Sequence, residues 1–223
     1  MVDSALRDLQ RRWISTGSPQ VGAEFLRTCV QAGKLRPAHL DLAAYCGEEA
    51  AQLASGVRAR KEPRDREELK AWIQGMAAFD RATIRLSSIY ALEEEVLALP
   101  RWGHLPGDPQ PFDLSLIVTT FERARTGEGL HATRAILGEE MEFLGKYVHV
   151  GDPELPSWVK VGRAVHWLAA ACVLTDDPDE TEEATRMFLA IARGLETNLF
   201  TVTIVANRIG RAIRSWALAS TAA

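Results

Sequence analysis

The chain is short of the residue patterns from which chemistry is usually read. Its three cysteines, Cys29, Cys46 and Cys172, lie far apart and form no Cys-x-x-Cys pair, so zinc-knuckle and dithiol redox readings have no spacing to rest on. Each sits among apolar neighbours and reads as a small reduced core residue. There is no Gly-x-Ser-x-Gly elbow, no Gly-x-x-x-x-Gly-Lys-Ser/Thr phosphate loop and no Gly-x-Gly-x-x-Gly turn, which removes the sequence support for three large enzyme groups. A di-metal site in a helix bundle needs Glu-x-x-His on two helices. Glu139, Glu140, Glu142 and His149 gather near one helix end without that pairing. The acids Asp176, Asp177, Asp179, Glu180, Glu182 and Glu183 are interrupted by Pro178 and hold no glycine, unlike a calcium loop. They read as a helix start, where the dipole favours acids. No metal, cofactor or catalytic residue is expected.

Excess positive charge is also missing. A net charge of −4 over 223 residues argues against a general nucleic-acid or anionic-membrane surface, both of which need clustered Lys and Arg. The longest nearly unbroken apolar run, Val165 to Leu174, falls short of the roughly 18 residues that span a bilayer. Met1-Val2-Asp3-Ser4 carries acid where a secretory leader carries base. These features imply a soluble cytoplasmic protein with no membrane contact.

What the chain does have is helical period with clear punctuation. Leu6, Leu9 and Trp13 recur on one face, Asp8 precedes Arg12 by four in the order that favours an ion pair, and Gly17 follows. Ser18-Pro19 caps and opens a second helix carrying Val21, Phe25, Leu26, Cys29 and Val30 to Gly33. Pro37 opens a third, with Leu40, Ala43 and Ala44 inward, that stops at Gly47, and an alanine-rich fourth runs from Glu48 to Ser55. Residues 1–57 thus form a small amino-terminal helical module. Residues 58–66, in which Arg58, Arg60, Lys61, Arg64 and Arg66 alternate with Glu62 and Asp65, read as a polar linker.

Residues 67–223 read as a larger, irregular antiparallel helix bundle. A stripe of Leu69, Trp72, Ile73, Met76, Phe79, Ala82, Leu86, Ile89, Tyr90, Val96 and Leu97 predicts either one helix of about 50 Å or two with a break near Arg81–Thr83. The segment from Pro100 to Pro111 holds four prolines and two glycines and must be a loop. Helical period resumes at Leu114, Leu130, Ser157 and Asp177, and a last helix carries Phe200, Val205, Ile209, Ile213 and Trp216. No segment alternates apolar and polar residues for long, so the fold is expected to be all-α.

Leu9-Gln-Arg-Arg-Trp13, Ala32-Gly33-Lys-Leu35 and Leu40-Asp-Leu-Ala-Ala-Tyr45-Cys-Gly47 together resemble an amino-terminal pattern found in large uncharacterised helical paralogous families of bacteria. In those families it is often followed by a helix with a Trp-x-x-Gly-like start, here Trp72 to Gly75. The match covers about the first quarter of the chain. It implies a stackable helical module that serves association, and it brings no catalytic residue with it.

The sequence therefore points first to a non-catalytic adaptor or regulatory protein that presents helix grooves to a protein partner. A second reading is an enzyme or small-ligand receptor with a pocket near the 100–111 loop, lined by Trp102, His104 and His166. A third is nucleic-acid binding through Arg193, Arg208, Arg211 and Arg214, which requires a positive stripe continuous among them or with the linker. Steps of three residues leave Arg208 and Arg214 about 120° apart around a helix, which works against that stripe.

Overall fold

The computed structural model describes residues 2–98, 114–126, 128–147, 165–166, 168–169 and 202–219, and among them every regular element is a helix. The all-α expectation therefore holds. The helices are α1 (Val2–Thr16), α2 (Pro19–Gln31), α3 (Pro37–Tyr45), α4 (Glu49–Ser55), α5 (Arg66–Ala77), α6 (Ala82–Ala98), α7 (Leu114–Thr126), α8 (Leu130–Tyr147) and α9 (Val202–Ala219). The Pro100–Pro111 segment, with Trp102 and His104, lies outside the described residues, as do Cys172, Arg193 and the 176–183 acids.

Local chemistry sets most of the boundaries. Ser18 caps α2 by accepting from the Val21 amide at 3.5 Å, with Pro19 in the first turn. The end of the polar linker is itself a cap: Asp65 accepts from the Glu68 amide at 2.8 Å, and Glu68 reaches back to accept from the Arg64 amide at 2.8 Å. This reciprocal pair satisfies donors that a helix start leaves open. The rest of the linker is pinned as well, since the Arg60 amide donates to the Tyr45 carbonyl at 3.1 Å and Pro63 is buried. On α1, Asp8 pairs with Arg11 at 2.6 Å, one residue short of the expected Arg12. The i,i+3 and i,i+4 positions flank the same acid on a helix surface, so either reaches it.

The apolar stripe after the linker is two helices. The chain leaves helical geometry at 78–81, slightly earlier than Arg81–Thr83, because Asp80 starts α6. Its Oδ1 accepts from the Ala82 amide at 3.0 Å, and the Thr83 hydroxyl donates to its carbonyl at 2.6 Å. A break resets the helical phase. Leu69, Trp72, Ile73 and Met76 are buried as the stripe predicts, and beyond the break so are Ile89 and Val96, but Ile84, Ala91 and Leu92 are buried as well while Leu86 and Tyr90 are only partly so.

Two apolar clusters result. The first gathers residues of α1 to α5 with α9, including Leu26, Leu42, Ile73, Met76, Ile209 and Ile213. The second joins α7 and α8 to residues 165–169 through Ile117, Phe121, Leu137, Val165 and Leu168. Helix α6 supplies both, with Ile84 and Ala91 in the first and Ile89, Leu92 and Val96 in the second. The hydroxyls it and its neighbours bury are mostly satisfied within their own helix turns: Ser88 donates to the Ile84 carbonyl at 3.1 Å and Thr120 to the Leu116 carbonyl at 2.7 Å. Packing across the first cluster is continuous through the 58–66 connection, because α9 rests on α3, α5 and α6 together.

Helix α3 occupies the middle of that cluster. His39, Leu40, Leu42, Ala43, Ala44 and Tyr45 are all buried, a wider face than Leu40, Ala43 and Ala44 alone. One side meets α4 and the other meets α9. At its end the Tyr45 hydroxyl donates to the Trp72 carbonyl at 3.2 Å and presses on Gly75, where a side-chain carbon would collide with it. The Leu-Ala-Ala-Tyr helix and the Trp-x-x-Gly turn of α5 thus meet through one phenol.

That contact predicts a conditional effect. Gly75→Ala should lower stability by about 1–3 kcal/mol, the range for overpacking, despite alanine's better helix propensity. In a Tyr45→Phe background, which removes the nearest obstructing atom but leaves the ring carbon 2.7 Å from the added methyl, the same change should cost less. Urea unfolding midpoints of the four proteins check this, and equal losses in both backgrounds would refute the contact.

Candidate functional site

The most chemically distinctive region lies where the end of α3, the linker and α9 converge. Helix α3 ends at Cys46, and Gly47, with φ of 94°, turns the chain in a left-handed conformation that other residues rarely adopt. The turn leaves the Cys46 carbonyl free of a helical partner. Arg214 of α9 donates to it at 3.0 Å, placing a cation where a helix end carries partial negative charge. Arg60 of the linker donates through Nη1 to the Tyr45 hydroxyl at 3.4 Å. Between these anchors opens a cleft of about 40 Å³ whose lining includes Cys46, Arg60, Glu62, Trp72, Asn207, Arg211 and Arg214. Three guanidinium groups from segments some 150 residues apart therefore face one small space, and among the described lining residues Glu62 is the single carboxylate.

The thiol in that lining is inert. Burial pushes the Cys46 thiol up to about 12, against the opposing pull of Arg214, and its Sγ contacts the Met76 sulfur at 3.4 Å. Cys29 is likewise raised by burial, with Lys34 opposing. A protonated buried thiol is a poor nucleophile and metal ligand, which agrees with the reading of both as core residues. Among the described residues no three His, Cys, Asp or Glu side chains gather as a metal site.

A second polar cluster closes the same junction from the other end of α3. The Asp80 Oδ2 accepts from Arg36 at 2.6 Å and faces His39 Nε2 at 3.1 Å, while Arg36 also touches His39. The His39 ring stacks on Trp216 of α9, centroids 4.8 Å apart and planes tilted by 49°. His39 Nδ1 is buried with no hydrogen-bond partner among the described residues. Burial alone would raise the Asp80 carboxyl. The Ala82 amide, His39 and Arg36 outweigh that effect and hold it below the ordinary carboxylate range. Sequence reading missed His39 and Asp80, although an aspartate at the interruption of an apolar stripe, followed by Ala-Thr, has the form of an N-cap.

The other singled-out residues are spread apart. Arg208 donates to the Ala91 carbonyl of α6 at 3.2 Å, on a different wall from Arg211 and Arg214. The latter two join linker Arg60 in the cleft, while Arg193 is outside the described residues. His166 is half-buried, its Nε2 3.2 Å from where a side chain on Gly138 would begin; the cleft's described lining does not include it. One Glu-x-x-His does occur, Glu128 to His131, but it straddles the start of α8 with both residues exposed. Among the described residues no helix is long and apolar enough to cross a membrane. Compared with protein-family models, curated proteins and solved structures, the chain finds no match.

The Asp80 cluster has a pH signature. A carboxyl whose folded value lies below its unfolded one, near 4, contributes stability above that pH and loses it as pH falls toward the folded value. Asp80→Asn should lower stability at neutral pH by about 1.5–3 kcal/mol, the range for hydrogen bonds to charged groups. The deficit should shrink below about pH 4, as wild-type Asp80 takes up its proton. Thermal midpoints followed from neutral to acid pH check it, and a deficit that stays constant below pH 4 would count against the charge.

Proposed function

We propose that this chain is a non-catalytic interaction protein, an adaptor or regulatory subunit that presents helix grooves to a protein partner. The observation that carries this reading is the seat of α9. A groove walled by α3, α5 and α6 receives an amphipathic helix from a distant part of the chain, and takes in Val205, Ala206, Ile209, Gly210, Ile213 and Ala217 along one stripe. Guanidinium-to-carbonyl bonds from Arg208 and Arg214 fix its position along the groove. This is the geometry by which grooves bind partner helices, apolar anchors at i, i+4 and i+8 with polar contacts on the flanks.

Large apolar side chains on the outside of α1, α4 and α9 support the reading. Ile14 of α1 is 76% exposed, Leu53 of α4 46%, and Ile204 of α9 48%. Single exposed apolar residues are ordinary, but these three lie on elements whose other faces are already packed, so they remain open to a second chain. The resemblance of the first quarter to modules that serve association points the same way.

The expected result is a protein that captures one partner from its native host at fixed stoichiometry and binds it saturably once both are purified. Replacing Ile14 or Ile204 by Asp should weaken that binding about tenfold, equivalent to about 1.4 kcal/mol, for whichever residue enters the interface. Titration calorimetry with the purified partner measures it. A chain recovered as a monomer that retains no protein at any fixed ratio would overturn the proposal.

A further inference from the structure

We propose that the cleft between the linker and α9 is a binding site for a doubly charged tetrahedral oxyanion, free phosphate or a phosphate monoester. The inference does not depend on the interaction reading above. It rests on three features of the cleft.

The first is charge. Among the described lining residues, Arg60, Arg211 and Arg214 contribute three positive charges and Glu62 one negative, a balance of plus two. Glu62 forms no ion pair with any of the three among the described residues, and Arg211 makes neither hydrogen bond nor ion pair with a described residue. Converging guanidiniums repel one another until an anion sits among them. The neutral Cys46 thiol adds no opposing charge.

The second is preorganisation. Arg214 is held by the Cys46 carbonyl and Arg60 by the Tyr45 hydroxyl. Each guanidinium has five N–H groups in a rigid fork, and each bond named occupies one. The remaining donors, with the Asn207 amide, can engage an oxyanion in the two-pronged geometry that arginine makes with phosphate.

The third is size and shape. About 40 Å³ is room for about three water-sized groups, at roughly 10–15 Å³ each. That fits one tetrahedral head group and excludes a buried nucleotide. Trp72, 4% exposed, lines the cleft as an apolar wall. Arginines approaching from linker and helix suit a tetrahedral anion better than a planar one.

Isothermal titration of the full chain with inorganic phosphate, at low salt and near neutral pH, tests the site. One phosphate should bind per chain. Arg60→Gln and Arg211→Gln should each weaken binding about tenfold or more, Arg12→Gln on the far helix α1 should leave it unchanged, and Glu62→Gln should strengthen it. Sulfate should compete and acetate should not. Binding of O-phosphoserine alongside phosphate would assign the site to a modified side chain, and loss of binding on esterification would assign it to the free ion; either keeps the site. No saturable binding, equal weakening by Arg12→Gln, or acetate binding as tight as phosphate would overturn it. Thermal melts of each variant confirm folding, and the Glu62→Gln gain reads the site without removing an arginine.

Discussion

The fold depends on α9 filling the space between α3, α5 and α6. Helix α3 is only nine residues long, below the length at which an isolated helix is stable in water, so its stability comes from burial on both sides. Without α9, one of those sides would face solvent. Burying a leucine- or isoleucine-sized side chain is worth about 1.5–3 kcal/mol, and α9 brings Val205, Ile209 and Ile213 to the shared core. At Gly210 this helix lies along the Trp72 ring, close enough that a side-chain carbon there would be in ordinary contact with it at 3.4 Å. The last described helix is therefore part of the amino-terminal core.

The polar groups of the junction follow from the same requirement. Packing a short helix against a long one brings helix ends into low-dielectric surroundings, where unpaired carbonyls and amides are costly. Arg214 serves the end of α3, and Asp80 serves the start of α6 while meeting Arg36 and His39 from the beginning of α3. Both ends of α3 are thereby tied by charge-assisted bonds to elements distant in sequence. Arg208 donates to the Ala91 carbonyl in the middle of α6 and so fastens α9 to that helix. Arg208, Arg211 and Arg214 look like a basic stripe in the sequence because they recur every three residues, yet the fold sends Arg208 to α6 and the other two to the cleft.

How much of this was legible depends on whether the signal was local. Helix punctuation was, because Ser18-Pro19, Pro37 and the glycines at 17, 33 and 47 act within a few residues of themselves. The inward faces of α1, α2 and α5 were too, since each buries one stripe. Helix α3 was only partly legible: His39 lies buried under Trp216 of α9, and nothing near residue 40 encodes a helix that arrives after residue 200. The stripe of α6 was legible in part: Ile89 and Val96 are buried as it predicts, while Ile84, Ala91 and Leu92 are buried outside it and Leu86 and Tyr90 are only half-buried. The cleft was illegible for a related reason. Its arginines were visible separately, as linker charge and as carboxyl-terminal charge, and only the fold brings Arg60 beside Arg211 and Arg214.

That juxtaposition also shows why net charge was a poor guide to local binding chemistry. A chain at −4 is mildly repelled by anions at long range, but ionic screening confines such effects to about 8–10 Å at ordinary salt. Within the cleft the relevant field is that of three guanidiniums and one carboxylate beside a buried indole. Two of those guanidiniums are fixed in place by bonds to Tyr45 and Cys46, bonds that already serve to tie the linker and α9 to the end of α3. The interactions that close the core and those that hold the arginines toward the cleft are the same ones. A fold that must satisfy the end of α3 in this way holds two of the three guanidiniums at the cleft as a consequence, and leaves Arg211 as the one an anion would have to order.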